Sequence, residues 1–296
     1  MPTFCASFLP SLRHRLWYFD TSTLRAVGRK LHSSPIVDHA FTSSLALIEL
    51  LTGADLNVSE FRIRQLAIRN ILSCNLGIDW EMYDTKQHAA FTVLERTNQI
   101  DSRITCLKQM LRIFCKVDSF EEFLKQVEEL DLDYDYYSFK TFDQNASKNW
   151  IDASLNGHKN LKEVFDKPST KDLCLILGLP KDANKNQVQI KLRANPLNYY
   201  MTLFAMSEQF CDEIHINDPV QCAIVYNSYN NSIDPYIRAF SDSSTTSMFG
   251  QQANRNDGID VLHFLYLGRM SRLFTEDSKM QDLAHRVGVP CLALAH

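Results

Sequence analysis

Short apolar runs that end in a helix-capping residue lie near the two ends of this chain, and that distribution limits its fold more than any other feature. Leu16-Trp17-Tyr18-Phe19 leads into Asp20-Thr21-Ser22-Thr23. This predicts a strand and then a helix, because a side-chain oxygen ahead of a helix accepts from its first free amides. After Pro35, Ile36–Thr42 predicts a second strand. Ser43 and Ser44 then precede Leu45–Leu51, a helix apolar nearly all round that Gly53 ends. Near the other end a helix is expected over 257–268, a strand over Ser271–Thr275, a helix over Ser278–Val287 and a strand over Val289–Leu294. Such alternation predicts a parallel sheet.

The middle of the chain reads as helical. The stripe at 104, 107, 110, 111 and 114 has helical spacing, and Ser119 with Glu122 makes a capping box for the helix that follows. Further helices are expected over 60–74, 84–96, 159–166, 186–193, 197–214 and 218–230, and a polar loop over 241–255. The expected organisation is therefore a discontinuous α/β domain, 1–55 and 241–296, around an all-α insertion, 56–240.

Composition narrows the class. With 9 Gly and 9 Pro in 296 residues, hairpin-rich all-β folds are disfavoured, and 45% hydrophobic content is too high for a disordered chain. No stretch approaches the ~18–20 uncharged apolar residues of a membrane span, and Arg13 and Arg15 follow the opening apolar run rather than precede it, so a cytoplasmic location is expected. None of the eight cysteines forms a Cys-x-x-Cys pair, which favours reduced core thiols over a zinc site.

Four carboxylates stand where apolar elements are expected: Asp20 after the first strand, Glu49 in the apolar helix, Asp260 within Asp257–Leu267, and Asp277 after the strand at 273–275. A buried carboxylate without a partner is costly, so each must reach water, a cation or a ligand. In a parallel sheet the strand C-termini lie on one edge, where Asp20 and Asp277 would meet, and a divalent cation relieves the repulsion between clustered acids. Asp20, Asp257 and Asp277 are equally suited to capping the helices they precede.

Strand-Asp-Thr-Ser, the Ser-rich strand end before a helical Glu, Asn256-Asp257-Gly-Ile-Asp260-x-x-His263 and Thr275-Glu-Asp277 together resemble the PIN-domain ribonucleases. The resemblance covers roughly residues 14–55 and 254–296. It implies a three-layer α/β/α sandwich around a parallel sheet, with acids that bind Mg²⁺ or Mn²⁺ and activate water for phosphodiester hydrolysis. By position Asp20, Glu49, Asp260 and Asp277 match the acidic set, with Asp257 a fifth metal candidate. Thr275 matches the hydroxyl that orients the last acid, and Ser22 and Ser44 match small polar positions of the site. The chain departs from compact members in the length of its middle.

The resemblance implies an endoribonuclease, in the manner of a toxin or defence effector, with RNA as substrate and an antitoxin or other regulatory protein as partner; homo-oligomers are compatible. The other reading is an inactive PIN-like scaffold that binds protein or RNA through its insertion. Phosphate would be held by cations near the first helix, Arg25, Arg29 and Lys30, and by His263 one turn after Asp260. Asp118–Asp135 carries eight acids and one Lys, so the rest of the chain is mildly basic despite a formal net charge of -4.

Overall fold

Tyr18 and Phe19 point to opposite faces of one strand, yet both are almost completely buried, so this strand must be covered on both sides. It is the middle strand of the sheet. The computed structural model describes residues 16–28, 31, 36–91, 101–145, 148, 174–175, 177–248, 255–268 and 270–293. In chain order its elements are β1 (Trp17–Phe19), α1 (Thr21–Val27), β2 (Ala40–Ser43), α2 (Ser44–Thr52), α3 (Val58–Ser73), β3 (Gly77–Asp79), α4 (Tyr83–Phe91), α5 (Ser102–Phe114) and α6 (Phe120–Glu128). There follow α7 (Lys185–Arg193), α8 (Pro196–Glu213), α9 (Pro219–Asn227), α10 (Asp234–Met248), α11 (Arg255–His263), β4 (Arg272–Phe274), α12 (Ser278–Arg286) and β5 (Cys291–Leu292).

The five strands form one parallel sheet in the order β3-β2-β1-β4-β5. The expected α/β class with a parallel sheet is therefore present, and helix predominates. Two compact units divide the chain. The first holds Met1–Lys86, Arg96–Gln144 and Tyr266–His296, and the second Gln87–Glu95 and Asn145–Leu265. This differs from the expected break after residue 55. Phe41 pairs with Gly77 and Ser43 with Asp79, so the sheet itself extends into the segment expected to be all helix. The aromatic and aliphatic faces of α3, α5 and α6 then join the core of the first unit through Phe61, Ile68, Leu107, Phe114 and Phe123. The acids of 118–135 lie largely on the exposed side of α6 and the turn after it, opposite buried Phe123 and Val127.

In the second unit, the polar loop expected over 241–255 is replaced as far as Met248 by α10. Its polar side chains are bound rather than solvated: Arg193 of α7 pairs with Asp242 at 2.7 Å, and Asn198 of α8 donates to Thr245 at 2.7 Å. These contacts outweigh the weak helix propensity of a Ser/Thr run. The expected helix over 159–166 lies outside the described residues, as do 249–254. The expected strand over Ile36–Thr42 begins only at Ala40, because Val37–His39 forms a 3₁₀ turn. No helix among the described residues is long and apolar enough to cross a membrane.

Helix α2 is buried on nearly every side, as its sequence suggests, and Glu49 is its half-buried exception. Its C-terminus is clamped by Arg64, a buried guanidinium from α3 that donates to the Glu49 carbonyl at 2.7 Å and to Glu60 at 2.9 Å. Gly53 permits this approach, since a Cβ there would stand 2.4 Å from the guanidinium. Gly53→Ala should displace Arg64 and cost about 1.5–3 kcal/mol, the usual worth of a hydrogen bond to a charged group. Urea unfolding of Gly53→Ala, Arg64→Met and the double variant checks this: the two losses should overlap rather than add.

Candidate functional site at the β1–β4 edge

The register of the sheet assembles the site. Phe19 pairs with Phe274, Tyr18 with Phe41 and Ser43 with Asp79. Continuing these pairings past the strand ends sets Asp79, Ser43, Asp20 and Thr275 in one row along the C-terminal edge. Between β1 and β4 the strand order reverses, because the chain leaves β1 toward β2 on one side and β4 pairs on the other. Such a switch point leaves a crevice outside the strand ends, the usual ligand position in open α/β sheets.

Asp20 lies at this switch point and is almost fully buried. It caps α1 by accepting from the Thr23 amide at 2.9 Å. The Ser22 hydroxyl donates to both its oxygens, at 2.8 and 3.0 Å, and the Thr275 hydroxyl donates to Oδ2 at 2.6 Å. Ser22 accepts in turn from the Glu276 amide, and Thr275 from the Asp277 amide, each at 3.1 Å. Ser22 and Thr275 thus both meet Asp20; Thr275, expected to orient the last acid, donates to the first and takes the backbone amide of Asp277. Two unanticipated hydroxyls reinforce the edge: Thr23 donates to the Phe274 carbonyl at 2.7 Å, and Thr42 to the Phe19 carbonyl at 2.8 Å.

Glu49 joins through Thr21, whose hydroxyl donates to Oε2 at 2.5 Å. Since Thr21 follows Asp20 directly, the two carboxylates flank one residue. Both also act on Tyr18, whose phenol is pushed well above its ordinary pKa, chiefly by burial, with the Tyr266, Asp20 and Glu49 charges adding to it. Tyr18 shares a hydrogen bond of 2.8 Å with Ser43, and its ring lies nearly parallel to that of Tyr266. Ser44 belongs to this buried polar group: it bonds the Tyr266 hydroxyl at 3.1 Å and donates to the Glu81 carbonyl at 2.9 Å. Asp79, at the far end of the row, is paired with Lys86 at 2.7 Å. Neither Asp79 nor Lys86 was expected, because a strand as short as Gly77-Ile78-Asp79 carries no readable alternation.

Other expected residues are placed differently. Asp277 caps α12, accepting from the amides of Lys279 and Met280 at 2.7 and 3.2 Å, and both bonds fall on Oδ1. Asp257 and Asp260 lie on α11, half-buried, in the second unit. His263 follows on the same helix and is 1% exposed. The Arg25 guanidinium is held at 2.9 Å by Glu60 of α3. Arg29 and Lys30 lie outside the described residues.

The oxygen donors of Asp20, Glu49 and Asp277 suit a hard divalent cation such as Mg²⁺ or Mn²⁺. Their number does not yet do so. Among the described residues no group of three or more His, Cys, Asp or Glu side chains is gathered closely enough to hold a metal ion. Comparison with known protein families, with curated proteins and with solved structures finds no match for the chain.

Two outcomes follow from this geometry. Thr275→Val removes the donor to Asp20 and the acceptor of the Asp277 amide while keeping the shape, and should cost about 1–3 kcal/mol in denaturant unfolding, with most of it recovered in Thr275→Ser. The second concerns Cys291 of β5, whose thiol is pushed up to about 11 by burial and by the Asp20 charge. At pH 8 it should react slowly with iodoacetamide and speed up as pH rises toward 11. A neighbouring negative charge disfavours the thiolate, so Asp20→Asn should lower that pKa and speed alkylation at pH 8; peptide mapping of the Cys291 adduct reads both effects.

Proposed function

We propose that the β1–β4 edge is the working site of a metal-dependent phosphodiester hydrolase acting on RNA, in a PIN-like α/β/α sandwich. One observation carries the reading: a buried carboxylate, Asp20, stands at the switch point of a parallel sheet, and the residue after it, Thr21, donates to a second carboxylate, Glu49.

Asp20 and Glu49 would form the core of the cation site, with Asp277 as the neighbouring acid on β4's side. A divalent ion bound there would supply an acidified water and offset charge on the phosphate. The chain's own hydroxyls orient the acids: Ser22 and Thr275 hold Asp20, and Thr21 holds Glu49. Tyr18, its phenol pushed up by burial, is fully buried and shares a hydrogen bond with Ser43.

A second reading has its own support. Asp20 and Asp277 both cap helices, so both acids are accounted for without a ligand. On that reading the chain is a non-catalytic scaffold of PIN type.

The two are separated by incubating the full chain with single-stranded RNA and Mn²⁺, beside Asp20→Asn and Glu49→Gln, and by titrating each with Mn²⁺ in a calorimeter. Hydrolysis by the wild-type chain, reduced at least 100-fold in both variants, supports the nuclease. No cleavage and no Mn²⁺ heat from the wild-type chain would sink it and favour the scaffold.

A further inference from the structure

Helix α8 buries one side and leaves another to solvent. Asn195 caps it, Pro196 opens it, and Leu203, Ser207 and Phe210 are buried within the second unit. Helix α10 holds it in place: Asn198 donates to Thr245 at 2.7 Å and the Tyr199 hydroxyl to Asp234 at 2.5 Å. Leu197, Tyr200, Met201 and Phe204 stand at i, i+3, i+4 and i+7, so they share a face, and each is more than half exposed. The same face continues through Glu208 and Asp212, which are exposed as well. Among the described residues neither carboxylate has an ion-pair partner. No Lys or Arg occurs between Arg193 and Arg238. Helix α9 packs beside α8, with the Tyr226 and Phe204 rings 6.0 Å apart, yet buries none of its own residues, and its Val220 and Ile224 are exposed.

We propose that this face of α8 docks an amphipathic helix of a partner protein, one with aliphatic residues on one half of its face and Lys or Arg on the other. The inference stands apart from the chemistry of the β1–β4 edge. Soluble chains rarely leave large apolar side chains clustered in water, and such clusters mark surfaces that a partner covers. An apolar stripe at i, i+3, i+4 and i+7 is the pattern by which one helix meets another. Charge decides which helix. Glu208 and Asp212 carry the face into a negative end that no Lys or Arg of α8 or α9 offsets, so basic side chains are drawn there and acidic ones repelled. Two other occupants fit less well for the same reason. A second copy would bring the same acids and no cation from this face to meet them, and an anionic lipid surface would be repelled. The aliphatic half supplies affinity, and the basic half fixes the direction in which the partner lies.

The full chain is titrated into a fluorescein-labelled, helix-forming peptide with Leu on one face of its first half and Lys on that face of its second, and binding is read by anisotropy. Saturable binding is expected, weakened roughly tenfold or more when the Leu residues are replaced by Ala or the Lys residues by Glu. Met201→Ser, at a side chain 63% exposed, should weaken it by a similar factor. Glu208→Lys with Asp212→Lys should lose the Lys peptide and take the Glu peptide instead, an exchange of preference that loss of fold cannot produce. No saturable binding by the wild-type chain, equal affinity for the Lys and Glu peptides, or equal binding by the wild-type and Met201→Ser chains overturns the proposal. So does a wild-type dimer in light scattering, or sedimentation with phosphatidylserine vesicles, that Met201→Ser abolishes, since the face then belongs to a second copy or to a membrane.

Discussion

The burial of one carboxylate governs the architecture of the first unit. Asp20 cannot enter the core unpaired, because an unsatisfied buried charge costs more than the whole net stability of many domains can tolerate. Its donors come from its own helix, through Ser22 and the Thr23 amide, and from a strand more than 250 residues away, through Thr275. The chain ends must therefore meet. Pairing of β1 with β4 and satisfaction of Asp20 are one event seen from backbone and side chain. Thr23, reaching from α1 to the Phe274 carbonyl, repeats the link.

That constraint explains how the sheet tolerates strands of two to four residues. Strands so short contribute few ladder bonds, and a parallel pair is slightly weaker per residue than an antiparallel one. Hydroxyl side chains supplement the ladder at its C-terminal edge: Thr42 binds the last carbonyl of β1, Thr23 that of β4, and Tyr18 meets Ser43 between β1 and β2. The edge is thereby polar and rigid while both faces stay apolar. A rigid polar edge at a switch point is also what ligand binding needs, which is why structural and functional readings converge on the same residues.

Much of this was legible in the sequence where the signal is local. Strand-Asp-Thr-Ser announced both β1 and its cap, and an isolated Glu in an apolar helix announced a carboxylate short of water. What escaped depends on partners remote in the chain. Gly77-Ile78-Asp79 becomes a strand because β2 offers a free edge to it, not from any pattern of its own. The Ser/Thr run of α10 is helical because Arg193 and Asn198 meet it from other helices. The pairing of Arg25 with Glu60 of α3 likewise depends on a residue remote in the chain.

The acids also show why a cap and a ligand site can be hard to distinguish from residue type, and what separates them. A carboxylate has about four lone-pair positions, and an N-cap uses one or two of them. Asp277 accepts both helix amides on Oδ1 alone, so the second oxygen is not needed for α12. Asp20, by contrast, accepts on both oxygens, but two of its donors are hydroxyls, which can rotate and turn from donor to acceptor as an amide cannot. A hydroxyl shell therefore leaves Asp20 able to exchange hydrogen bonds for a cation without moving the backbone. Glu49 completes the contrast: it caps no helix, lies in the last turn of α2, and its carboxylate takes the Thr21 hydroxyl at 2.5 Å, a third hydroxyl donor on this edge.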